Sequence, residues 1–252
     1  MVKIDNIEVH GIERAINAIN NSFNVGAINT TEKVAKKDRR FNVAKSLFSN
    51  MDPHQSHDAA LKGILVTFDM RHNGVFMPEF QRYHWAEIIM SQSTMHSMEK
   101  FMTSDHNPFT KYVTKKTKEH IKELYENWQK EKQSLKDYCT TTPEENRSQG
   151  FMKMLHKDIY LAFETLVHNL PRGLELWATI TTNYLQLKTI VIQRAKHKNE
   201  EDWGNFIEFC YGLPHFRELC GFEDSKWDLG NLFPIAFDET DTPVNLKAPE
   251  ID

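Results

Sequence analysis

Glycine and proline are scarce, 10 and 9 residues in 252, so long flexible linkers are excluded. Cysteine is rarer still. Cys139, Cys210 and Cys220 form no CxxC pair and no zinc-ligand spacing, and an odd, sparse count fits a reducing compartment. No run of about 18 apolar residues occurs, so no membrane-spanning helix is expected. The opening MVKIDNIEVHGIERA has no apolar signal core, and the expected location is cytoplasmic. Neither sign of charge dominates: the net charge is -4, which gives no electrostatic case for a nucleic-acid partner. GxSxG, GxGxxG, Walker A and HExxH motifs are all missing.

What is present suits one sizeable globular body. Hydrophobic residues make up 40% and charged residues 26%, with 16 Phe, 5 Trp and 7 Tyr to fill a core. Residues 2–9 alternate as a short strand, and Ile12, Ala15, Ile16, Ile19 and Phe23 follow at helical spacing. Thr30 or Thr31 is placed to cap a helix through Leu47, and Lys33–Arg40 reads as its solvated face. Leu61–Met70 suits a buried strand or a helix passing into one, and Pro78 suits the first turn of a helix to about Met90. Residues 110–137 form the clearest long helix, with Lys115–Glu119 and Glu126–Lys130 spaced for pairing. Pro143 opens another helical region through Leu166, and a helix at 201–213 follows a strand-to-helix corner. The expectation is a mixed α/β domain over 1–222, richer in helix than strand, and an irregular tail over 223–252.

Twelve histidines invite a metal reading. His54 and His57 are three apart in an irregular segment, while His84, His96 and His106 are far apart, so no metal site is expected. Glu79, Glu87 and Glu175 have no spacing that singles them out. Two segments remain. In Gln81–His96, Arg82 and His84 precede a cluster of Ser91, Gln92, Ser93 and Thr94, which suits either a phosphate held by hydroxyl and amide donors or a Ser/Thr-rich turn. In Asn169–Arg194 a buried strand turns directly into a helix and places Thr181, Asn183 and Arg194 along the transition. The alternative there is an Asn cap and an Arg paired with an acid near the helix end.

Together these segments resemble the two signature regions of the flavin-dependent thymidylate synthases, in the same order. The first reads RHRxxSxNExSxRY after a strand with an FTF-like core. Here Val66–Met70 resembles the strand and Tyr83–His96 falls on the motif without a gap, His84 on the central histidine and Ser93 on the later serine. Tyr83 and Trp85 stand where two flavin-contacting arginines are expected, Ser91 where an acid is, and Met95 where a phosphate-binding arginine is. The second reads LP, a strand, TxNARSL and a helix ending in LR. Leu170, Pro171, Thr181, Asn183, Leu187 and Arg194 fall on those positions, with Leu185 and Ile190 replacing polar residues. Ser93–His96 and Asn183–Arg194 are most similar to a divergent, phage-encoded branch, for which the compartment would be the host cytoplasm.

The resemblance implies a helix-rich α+β fold around a central mixed or antiparallel sheet. It implies that His84, Asn183 and Arg82 contact FAD, and that Ser91, Gln92, Ser93, Thr94 and Arg194 hold a pyrimidine nucleotide. Arg194 would favour the N3-ionised uracil ring and so act catalytically. The implied reaction is methylation of dUMP at C5, with methylenetetrahydrofolate as carbon donor, NADPH as reductant and no cysteine nucleophile. A homotetramer with sites between subunits is implied too. Transfer of a hydroxymethyl group to a pyrimidine nucleotide, and a non-catalytic nucleotide-binding oligomer, are the alternatives.

Overall fold

The computed structural model describes residues 1–22, 26, 29–50 and 57–223. His54, Phe23 and the tail from 224 onward lie outside the described residues. The chain divides into two compact units: a sheet unit of residues 1–72, 76–91 and 177 onward, and a helical unit of residues 73–75 and 92–176. No shift of composition accompanies these crossings.

The sheet has strand order β1-β2-β4-β3, with β1 at Lys3–His10, β2 at Leu65–Asn73, β3 at Glu87–Ser91 and β4 at Glu175–Asn183. β1 runs antiparallel to β2, pairing Ile4 with Met70 and Val9 with Val66 around an irregularity between Asp5 and Glu8. β3 runs antiparallel to β4, pairing Glu87 with Thr181 and Ser91 with Ala178. Between β2 and β4, the Oγ1 atoms of Thr67 and Thr181 lie 3.3 Å apart and Thr179 Oγ1 donates to Asp69 Oδ1 at 2.6 Å, pairs that advance in opposite directions. The sheet is thus antiparallel, as the family resemblance implied.

Alternation along β2 buries Val66, Phe68 and Met70 and leaves Thr67 and Asp69 half-buried on the other face. Phe68 meets Phe206 and Phe209 of the helix Glu200–Gly212, here α8, at ring separations of 6.2 and 4.8 Å. Phe76, Phe80 and Trp203 complete this aromatic cluster, all fully buried. Each such ring contributes on the order of 2–3 kcal/mol of burial, which makes the cluster the main fastening of helix to sheet.

The preceding elements are α1 (Ile12–Ala18), α2 (Arg39–Phe48) and the short α3 (Met77–Phe80). Three expectations need correction. α2 begins at Arg39, not after Thr31, because Asp38 is the effective cap and accepts from Arg40 N at 2.8 Å. Thr31 is turned aside by Asn29, whose side chain accepts from both its backbone N and its hydroxyl. Arg40 is not on a solvated face, since it reaches Asn17 Oδ1 at 3.0 Å and Glu32 Oε2 at 2.9 Å. The helix opened by Pro78 is also short, one turn rather than a run to Met90, because the β-branched Ile88 and Ile89 join the edge strand β3.

In the helical unit, α4 is Thr94–Thr103, α5 Lys115–Thr141 and α6 Gln149–His168, capped by Ser93, Thr114 and Ser148. Trp128 meets Phe163 at 4.9 Å and Tyr138 meets Phe151 at 4.7 Å, so α5 and α6 form an antiparallel hairpin. Lys115 pairs with Glu119 at 3.7 Å, and Glu126 lies 3.7 Å from Lys122. Met98, Phe109, Ile121, Leu166 and Leu174 form a separate small core. No described helix is long and apolar enough to cross a membrane.

Candidate active site

The strand-to-helix corner occurs where the sequence places it. β4 ends at Asn183, and α7 runs from Tyr184 to Arg194. Asn183 Oδ1 accepts from Gln186 N at 3.0 Å, which satisfies one of the orphan donors of the first turn. α7 is held by its buried side. Tyr184 donates its hydroxyl to Pro214 O at 2.6 Å, and Leu187, Ile190 and Val191 are fully buried.

The other side of α7 carries Gln186, Thr189 and Gln193, spaced by three and four residues and hence on one stripe. That stripe and Arg194 line an open concavity of about 430 Å3, closed on its far side by Arg82, Tyr83, His84 and Trp85 from the turn after α3. The volume lies within the usual range for small-ligand sites. Gln186 is 8% exposed, and among the described residues its amide takes no hydrogen bond. A buried amide that lines a cavity and has no partner among the described residues is a group prepared for a ligand.

Arg194 sits at the end of α7 and is half-buried. Its Nε donates to the Tyr83 hydroxyl at 2.7 Å. Its guanidinium carbon lies 4.6 Å from the Trp203 ring centre and 5.4 Å from that of Tyr83, within cation–π range of both. Trp203 is fixed in turn, its indole N–H donating to Glu79 Oε2 at 2.8 Å, and His197 Nε2 stands 3.6 Å from the same oxygen. No carboxylate among the described residues pairs with Arg194. The alternative for this arginine, a salt bridge at the helix end, is not met among the described residues. Its positive charge is steadied by aromatic faces and left available.

The structure brings Arg82, His84 and Arg194 to one pocket. Asn183 is at the start of the same helix, and Ser91 ends β3 opposite Ala178. Gln92, Ser93 and Thr94 belong to the helical unit. There Ser93 caps α4, its Oγ accepting from His96 N at 3.3 Å and lying 3.0 Å from His96 Nδ1, so the turn reading accounts for its hydroxyl. Tyr83 and Trp85 both line the pocket: Tyr83 is buried with its hydroxyl on Arg194, and Trp85 is 69% exposed.

The sequence reading left out Gln186, Thr189, Gln193 and Trp203 as site residues and set Glu79 aside. The first three had a signal, a polar stripe at helical spacing within an otherwise apolar helix. Trp203 and Glu79 had none, because their meeting depends on packing between segments far apart in the chain.

An α+β fold with a four-stranded antiparallel sheet and a cationic pocket at its strand-to-helix corner is the class of protein defined so far. No protein-family model matches the sequence, and no curated protein matches it. Among solved structures, the chain has the fold of thymidylate synthase X from Helicobacter pylori, crystallised with FAD and dUMP. The TM-score is 0.56 at 11% identity, covering 88% of this chain and 98% of that one. A second crystal structure, of the flavin-dependent thymidylate synthase of Helicobacter pylori complexed with FAD and dUMP, gives 0.55 at 10% identity over 88% and 97%. The likeness is one of fold, and it spans nearly the whole of those chains.

Proposed function

We propose that this chain is a flavin-dependent enzyme of the thymidylate synthase type that transfers a one-carbon unit to C5 of dUMP. The observation that carries the reading is Arg194. Its Nε donates to Tyr83 and its guanidinium carbon stands 4.6 Å from the Trp203 ring centre, so among the described residues both Nη groups remain for a ligand in the pocket. It does so in a fold shared with a protein crystallised with FAD and dUMP.

In this reading Arg194 donates to the imide edge of uracil and stabilises the ring after loss of the N3 proton. The negative charge then spreads toward C5 and makes that carbon a better nucleophile. Trp203 and Tyr83 hold the guanidinium before substrate arrives, so little reorganisation is needed. His84, Asn183 and Arg82 are the residues we assign to FAD, with the exposed Trp85 ring offering a face for an isoalloxazine. Ser91, at the end of β3, remains assigned to the nucleotide, whereas the Ser93 hydroxyl is engaged in the α4 cap. When bound, reduced FAD would supply the hydride, methylenetetrahydrofolate the carbon and NADPH the electrons that restore the flavin. We assign a homotetramer, a reading supported by exposed Ile89 and Met90 on the edge strand β3.

The test is tritium release from dUMP labelled at C5, with folate, FAD and NADPH present. Release abolished by Arg194→Ala in a folded protein is the expected result, and mass analysis of the product separates methyl from hydroxymethyl transfer. The second reading, a nucleotide-binding oligomer without catalysis, is favoured by Tyr83 and Trp85 standing in place of two arginines. It predicts nucleotide binding, a colourless protein and no release.

A further inference from the structure

Arginine has only donors, so the bond from Arg194 Nε to the Tyr83 oxygen makes that oxygen the acceptor. The Tyr83 hydroxyl proton is then free to point elsewhere, and it points at Gln193 Oε1, 3.1 Å away. The relay has a single direction, Arg194 to Tyr83 to Gln193. In this arrangement the Gln193 oxygen is the end held by Tyr83 and the Nε2 amine is the other end. Among the described residues, neither that amine nor either Nη of Arg194 takes a hydrogen bond, and both residues line the pocket. The residues lining the pocket therefore include three nitrogen groups, all donors.

We infer that Gln193, oriented by Tyr83, is a specificity-determining residue that selects uracil in its N3-ionised form and rejects cytosine. The inference rests on the reading that the pocket holds a pyrimidine base. Ionised uracil presents three consecutive acceptors, O2, N3 and O4, which match the three donors of the wall. The neutral ring presents an N3–H to a guanidinium that cannot accept it. Cytosine offers O2 and N3 to the guanidinium, but its 4-amino group meets the Gln193 amine, donor against donor. A free amide would rotate to solve this at no cost; here the rotation gives up the bond from the Tyr83 hydroxyl. Binding of uracil moves one proton, from N3 to the buffer, and breaks no other bond.

Calorimetry on the full-length protein with dUMP, dCMP and deoxyribose 5-phosphate tests the inference. The wild type should bind dUMP at least about tenfold more tightly than dCMP, since a donor set against a donor leaves both unpaired in the complex. Titrations in buffers of different ionisation enthalpy should show proton release with dUMP and none with dCMP. Tyr83→Phe removes only the hydroxyl, and Gln193→Met only the amide of an exposed side chain. Each should bring the ratio of dUMP to dCMP affinity toward unity while leaving deoxyribose 5-phosphate binding unchanged, a pattern that general loss of structure would not give. Equal binding of dUMP and dCMP by the wild type, or an unchanged ratio in both variants, overturns the inference and leaves the uracil-nucleotide reading intact. Failure of both nucleotides to bind overturns that reading and this inference with it.

Discussion

The indole N–H of Trp203 donates to the Glu79 carboxylate at 2.8 Å, so the ring that supports the Arg194 guanidinium is itself tied down. Trp203 is fully buried and has this one polar atom to satisfy. Glu79→Leu should leave the donor stranded and cost about 1–3 kcal/mol of stability, whereas Glu79→Gln keeps an oxygen at the same place and should cost far less. Urea denaturation of both variants checks this. Equal losses would show that the carboxylate serves the fold by some route other than the indole.

Lys188 is a second anchor, on the buried side of α7. Its ammonium donates to Phe48 O at 2.8 Å, Asn50 O at 3.2 Å and Asp58 Oδ2 at 2.9 Å. A cation in so dry a place is tolerated because every proton has an oxygen. Lys188→Met fills similar space but strands those oxygens. It should lower stability by about 2–4 kcal/mol, reduced from the fully buried case because Asp58 keeps a quarter of its side chain in solvent. A shift in denaturation midpoint at constant m-value would confirm it.

The strand-to-helix corner was legible because its signals are local: an apolar run into β4, an Asn in capping position, then apolar spacing along α7. β3 was not, because an edge strand of five residues borrows its conformation from β4, and its sequence alone fits a helix after Pro78 equally well. Arg194 was legible as a candidate through its motif position. Its surroundings were not, since Tyr83 and Trp203 reach it from 111 and 9 residues away and only packing joins them. Asp38, three residues after Ala35 in a charged run, carried a capping signal that the two threonines upstream obscured.

Two thiols should make the protein sensitive to base. Burial pushes Cys220 up, and pushes Cys210 well up with the neighbouring Cys220 adding to it. In the unfolded chain both lose their protons near pH 8.5. Above that value the unfolded state binds fewer protons than the folded one, so stability must fall as pH rises. Each thiol contributes a slope of about 1.4 kcal/mol per pH unit, and below about pH 8 neither contributes any. Tyr211, pushed up to about 12 by burial, adds to the decline at higher pH. Urea titrations between pH 7 and 10 measure it, and Cys210→Ala should flatten the basic limb. With a thiol reagent at pH 8 the native protein should react at Cys139, the one cysteine that is not buried.

Asn183 has two ends with separable duties. Its oxygen caps α7 through Gln186 N, while its amine takes no hydrogen bond among the described residues. Asn183→Ala should lose the cap and about 1 kcal/mol of stability. Asn183→Asp keeps an acceptor, now charged and well placed at a helix N-terminus, so stability should hold or rise by a few tenths of a kcal/mol. It lacks the amine, however. If that amine meets FAD, the aspartate variant should bind flavin about tenfold more weakly in a fold as stable as the wild type. Flavin titration followed by absorbance, beside thermal melts of the same samples, separates the two duties. Wild-type flavin affinity in Asn183→Asp would restrict this residue to capping the helix that carries Arg194.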